Sequence, residues 1–171
     1  MARPSSGLKD SMLNVELWSD LPPERWFSPG DGEYDRARAS PELRGVPLIA
    51  SLGYSASDVG RLVPNMDPHV DAFEFSCHYT SLDDVRALAR TIRSNTKKPV
   101  FAKLSPHGHD LLGLAKELRS CGVDGFVVMN SLGPCLALDV ETEQPFLGGT
   151  GGKGWLSGQA IRPVALYRVS Q

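Results

Sequence analysis

Lys103 sits inside the run "PVFAKLSP", an ammonium group among Phe101, Ala102 and Leu104. Burying that charge is costly unless something balances it. An amine at the tip of a barrel strand can also form a Schiff base with a carbonyl substrate, so aldolase chemistry at Lys103 is one open reading. A partly solvated strand-end lysine is the bland one. Glu74 lies between Phe73 and Phe75 in "FEFSCHY", and Cys77 follows in the same run. A buried cysteine usually packs as a small hydrophobe. His78 could orient Cys77, take part in proton transfer, or sit in the core. Asn130 and Ser131 close the run "DGFVVMNSL", where an asparagine can bond a ligand or cap a turn. His107 and His109 form an "HGH" without a third ligand nearby, which favours solvent-facing side chains over a metal site. "GGTGGKG" does not run from a strand into a helix with Lys-Ser/Thr, so it reads as a loop rather than a phosphate cradle.

The elements that must carry these groups follow from periodicity. "VPLIASLG", "DAFEFSCHY", "PVFAKLS" and "DGFVVMNSL" are short strand-like runs. Between them lie "SASDVGRLVPNM", capped by Ser55 or Ser57, and "SLDDVRALARTIRSNTK", whose Leu82, Val85, Leu88, Ala89 and Ile92 recur at helical steps. "DLLGLAKELRSCG" follows, with Gly122 as its terminator. A Gly-rich excursion from 133 to 158 precedes a last helix in "QAIRPVALYRVSQ", with Pro163 in its first turn. Residues 1–45 read as an irregular N-terminal segment with one short helix near Pro22 to Phe27. Residues 46–171 read as α/β, part of a TIM (β/α)8 barrel with about four central βα units and parallel strands.

Strand alternation sends Phe73 and Phe75 to the helix side and Glu74 and Ser76 into the barrel. Lys103 points inward near the same end. Neighbouring parallel strands lie ~4.8 Å apart, so a Glu74–Lys103 ion pair is expected.

The chain has 171 residues, 41% hydrophobic and 22% charged, with a net charge of −2. That is enough for one domain with a real core, and it gives no reason to expect a nucleic-acid or anionic-membrane partner. No apolar run is long enough to span a bilayer. The three cysteines, Cys77, Cys121 and Cys135, lack metal-type spacing and suit reduced thiols in the cytoplasm. Cys121 and Cys135 read as packing residues.

"PVFAKLSP", "DGFVVMNSLG" and above all "GGKGWLSGQAIRPVAL" resemble the class 1 dihydroorotate dehydrogenases and the related pyrimidine-reducing domain of dihydropyrimidine dehydrogenase. The likeness runs from about Pro47 to Val169, with an echo in "MLNVELWSD". It implies a flavin barrel carrying FMN at the C-terminal strand ends, oxidising or reducing the C5–C6 bond of a dihydropyrimidine, with a possible electron-transfer partner. Lys103 resembles the lysine at the N1 and O2 side of the flavin. Val128 and Met129 would run along the flavin, and Ser157 and Gly158 resemble the turn at its ribityl and phosphate end. Asn130 and Ser131 resemble the pair that hydrogen-bonds the pyrimidine, and Asn14 a substrate-contacting asparagine. Cys77 resembles the base that removes a ring proton.

The pattern departs from the family where Glu74 replaces an asparagine, His78 a proline and Tyr79 an asparagine or histidine. A carboxylate substrate near Glu74 would feel repulsion of up to ~4 kcal/mol at about 4 Å and an effective dielectric of about 20, so a neutral ring is expected over orotate. A whole barrel needs eight strands, so two are expected before and two after those counted here. A half-barrel with unpaired edges also suits a homo-oligomer in which two copies close one shell, a reading without catalysis.

Overall fold

The computed structural model describes residues 10–15, 19–53, 55–78, 80–106, 110–147 and 150–170. It divides into two compact units. The larger takes residues 19–104 and 109–127; the smaller takes 1–18, 105–108 and 128–171.

The larger unit holds a four-stranded parallel sheet in the order β2-β3-β4-β5. Its strands are β2 (Ile49–Leu52), β3 (Ala72–Ser76), β4 (Val100–Lys103) and β5 (Gly125–Val127). Three helices make the crossovers: α3 (Ala56–Met66), α4 (Leu82–Asn95) and α5 (Leu111–Ser120). Two shorter ones, α1 (Glu24–Phe27) and α2 (Glu33–Ala39), precede them. A mixed α/β chain with this succession has the architecture of part of a (β/α) barrel.

Local chemistry fixes the helix ends. Ser55 accepts from the Asp58 amide and donates to its carboxylate at 2.6 Å, and Ser81 does both with Asp84. This reciprocal capping starts α3 and α4. Helix α5 ends in a left-handed turn: Gly122 has φ +92°, the Val123 amide donates to Leu118, and the Gly122 amide donates to Arg119.

One face of the sheet packs on the helices. Ala50, Leu52, Phe73, Phe75, Val100 and Ala102 point there, each 5% exposed or less. They meet Val59 and Val63 of α3, Val85, Leu88 and Ile92 of α4, and Leu114 and Leu118 of α5, which complete the core. The strand starts are pinned by aspartates. Asp71 accepts the Leu48 amide at 2.7 Å, and Asp124 accepts the Val100 amide at 2.8 Å. The same device recurs two crossovers apart, in "DAF" and "DGF".

The smaller unit is built differently. β1 (Ser11–Asn14), β6 (Leu132–Leu136) and β7 (Lys153–Gly158) form an antiparallel sheet in the order β1-β7-β6. Ser11 pairs with Gly158 and Asn14 with Trp155, across more than 140 residues of sequence. α6 (Arg162–Val169) follows, with Pro163 in its first turn. Two expectations change here. The Gly-rich excursion after Gly133 contains most of β6 and all of β7. The run "DGFVVMNSL" is not one strand: β5 stops at Val127, and Leu132 opens β6.

Candidate active site

The parallel sheet has a second face. Alternation puts Ile49 and Ser51 of β2, Glu74 and Ser76 of β3, Phe101 and Lys103 of β4, and Gly125 and Val127 of β5 on the side away from the helices. Ile49 and Ser51 are exposed and the others half-buried, with Ala72 buried at the start of β3 on the same side, against the sealed residues between them in β2, β3 and β4. This face therefore carries the polar and charged groups that the helix side excludes. Phe101 lies over β5, where a side chain at Gly125 would collide with its ring at 2.9 Å.

Lys103 ends β4, on the open face as the sequence predicts. Its expected ion pair with Glu74 does not form: no described carboxylate pairs with Lys103. The reason is register. Ser76 stands opposite Lys103, while Glu74 stands opposite Phe101, two residues earlier. Alternation settles the face of a side chain but not its partner along the strand. Glu74 instead accepts a long 3.4 Å bond from the Ser51 hydroxyl. Ser51 was missed in the sequence, although the alternation of "LIASLG" places it on this face.

Cys77 lies just past β3 and turns the other way. It is 1% exposed, and burial pushes its thiol up to about 12 from an ordinary 9.0. Its amide donates to the Lys103 carbonyl at 3.0 Å, continuing the ladder. In this structure the Cys77 thiol packs among core residues, and its burial favours the protonated form. His78 is half-buried, and its amide donates to the Ser76 hydroxyl at 3.2 Å.

In the smaller unit, Asn130 and Ser131 are 8% and 7% exposed. The Ser131 amide donates to the Asn130 side-chain oxygen at 2.9 Å, so the asparagine shapes its own turn. Val128 is 44% exposed and Met129 half-buried. Asn14 donates to the Ser157 hydroxyl at 3.5 Å, and its own side-chain oxygen is buried without a partner. Gly158 has φ +94°, and a Cβ there would come within 2.5 Å of the Asp10 carbonyl. Ser157 and Gly158 thus serve the pairing of β7 with β1, a structural role the resemblance did not anticipate. The "HGH" pair, His107 and His109, and Tyr79 lie outside the described residues. Among the described residues no group of three or more His, Cys, Asp or Glu could hold a metal ion. No described helix is long and apolar enough to cross a membrane.

Comparison with known proteins follows the same residues. The sequence profile of the dihydroorotate dehydrogenase family matches residues 68–171, from just before β3 through α6. This chain belongs to the dihydroorotate dehydrogenase family. It is 40% identical over 183 aligned positions to the dihydroorotate dehydrogenase B (NAD(+)) catalytic subunit of Anoxybacillus flavithermus, covering 96% of this chain and 52% of that protein. The corresponding subunit of Desulforudis audaxviator is 36% identical over 142 positions, covering 83% and 42%. Dihydroorotate dehydrogenase A (fumarate) of Lactobacillus helveticus is 29% identical, with the same coverage. The chain spans about half the length of these curated relatives.

Proposed function

We propose that this family member acts as an FMN-dependent oxidoreductase on the CH–CH bond of a dihydropyrimidine. The observation that carries the reading is Lys103: a half-buried cation at a strand tip, on the open face, with no described carboxylate to neutralise it. A cation so held balances charge that develops on an electron-rich ring. FMN, when bound, supplies the two-electron acceptor.

The residues present fit the ring end of that cofactor. Lys103 offers the charge, and Phe101 and Gly125 leave a flat apolar strip beside it. Ser157 and Gly158, which also pair β7 with β1, are proposed at the ribityl and phosphate end, as the resemblance implies. In the smaller unit, the resemblance assigns pyrimidine contacts to Asn130 and Ser131 and backbone contacts with the flavin to the stretch near Val128 and Met129, and these assignments are part of the proposal. Glu74, on the open face, favours a ring without a carboxylate. Proton removal by Cys77, as the resemblance implies, is part of this proposal, and it requires the buried thiol to gain access to the ring. The names of the relatives point to NAD(+) or fumarate as ultimate electron acceptors in those proteins, and a separate electron-transfer partner is part of this proposal.

The test is anaerobic and spectroscopic. The full chain is loaded with FMN and mixed with a dihydropyrimidine. Bleaching of the flavin band near its absorbance maximum supports the reading. An unchanged spectrum with FMN demonstrably bound contradicts the reaction, and no FMN uptake at all contradicts the cofactor.

A further inference from the structure

Glu74 is a carboxylate that the fold does not need where it stands. It faces away from the core, so burial does not account for it. It makes no ion pair with any described residue, and Asp71 and Asp124, not Glu74, hold the strand starts. Among the described residues its one hydrogen bond is the long contact from Ser51, a neutral group. Among the described residues, no cation compensates the carboxylate charge on this face. It stands on the same face as Lys103, two residues short of that lysine's cross-strand position.

A face bearing a fixed acceptor and a fixed cation selects ligands on two grounds. A ring N–H can donate to the carboxylate, and such charge-assisted bonds are the stronger kind. A ring that carries its own carboxylate meets repulsion instead, because a buried or half-buried charge is poorly screened. In the proposed function, on which this inference rests, Lys103 is engaged by the flavin and so does not offset that repulsion. We infer that Glu74 is the specificity-determining residue of this chain: it accepts a ring N–H from a neutral cyclic amide or ureide and turns away carboxylated rings. Ser51, donating to the same carboxylate, holds it in place as a positioning residue.

Calorimetric titration of the FMN-supplied full chain with uracil, orotate and 1,3-dimethyluracil tests this directly. The wild-type protein is expected to bind uracil at least tenfold more tightly than orotate, and at least tenfold more tightly than the dimethylated ring, which lacks the N–H. In Glu74→Gln, which keeps an acceptor oxygen but loses the charge, the uracil-to-orotate ratio is expected to shrink to within about threefold, with the preference for uracil over the dimethylated ring retained. Orotate binding as well as uracil in the wild type overturns the inference, as does a ratio unmoved by Glu74→Gln or binding of none of the three rings. The wild-type ligand series decides the matter even if the variant is unstable. Quenching of FMN fluorescence, followed in the same samples, separates the two proposals. Ring selectivity without quenching removes the flavin reading and leaves Glu74 standing; quenching without selectivity does the reverse.

Discussion

The two faces of the parallel sheet share four strands and differ in almost everything else. Toward the helices, the residues of β2, β3 and β4 are large or small apolar groups at 5% exposure or less. Away from them, the intervening positions are Ser51, Glu74, Ser76 and Lys103, with Phe101 and Ile49 between. Parallel strands covered on both sides read as continuous apolar runs. Here the runs are interrupted at Ser51, Glu74, Ser76 and Lys103, which sets the second face apart from the helix side. Cys77 sharpens the contrast. It lies one residue from Ser76, yet it belongs to the sealed side, and burial there pushes its thiol up.

The largest effect should come from breaking the sealed face. Phe75→Ala removes a fully buried ring and should cost about 3–5 kcal/mol, read as a fall in the urea midpoint. That is a large share of a total stability of about 5–15 kcal/mol.

The second effect belongs to the Cys77 thiol. Its folded pKa is raised above the unfolded value, so it contributes stability that is fully present below pH 9.0 and is lost as pH rises toward about 12. A rise of that size corresponds to at most about 4 kcal/mol. Chemical melts between those limits should show a steeper alkaline decline in the wild type than in Cys77→Ala.

A smaller effect lies at the strand starts. The Leu48 amide holds the Asp71 carboxyl below its ordinary value, with Arg38 adding to it. A depressed carboxylate contributes stability above its unfolded pKa, lost as pH falls through the folded one. Asp71 is nearly half exposed, so solvent screening limits Asp71→Asn to about 1 kcal/mol, measured by the same urea melts at neutral pH.

The smallest stability effects are expected on the open face. Lys103→Met and Glu74→Gln should each move the midpoint by no more than about 0.5 kcal/mol, because no described ion pair is lost. A cost comparable to Phe75→Ala at either position would show that this face is closed in the folded protein.

The sealed face was legible in the sequence because it is periodic. Val85, Leu88, Ala89 and Ile92 of α4 were read from their spacing, and all four are buried. The strands fell where Val, Ile and Phe cluster, each a few residues shorter than the runs suggested. What escaped lacked a local signal. Helix α2 buries no residue, so it shows no apolar stripe. β1 and β7 pair across most of the chain, and nothing within either segment announces a partner so distant. At the candidate site, alternation placed Glu74 and Lys103 on one face correctly but could not set their register, so the ion pair was misjudged. Cys77 was read by likeness to relatives, and that likeness carried no signal of its burial on the helix side.

The account rests on an unneutralised lysine on the open face, available to the charge of a bound flavin. Titrating FMN with the full chain and with Lys103→Met, and following flavin fluorescence, tests it most directly. Quenching by the wild type, weakened at least tenfold in Lys103→Met with the melting temperature unchanged, is the predicted result. A wild type that leaves FMN fluorescence untouched, or a variant that binds FMN as tightly as the wild type, would contradict it.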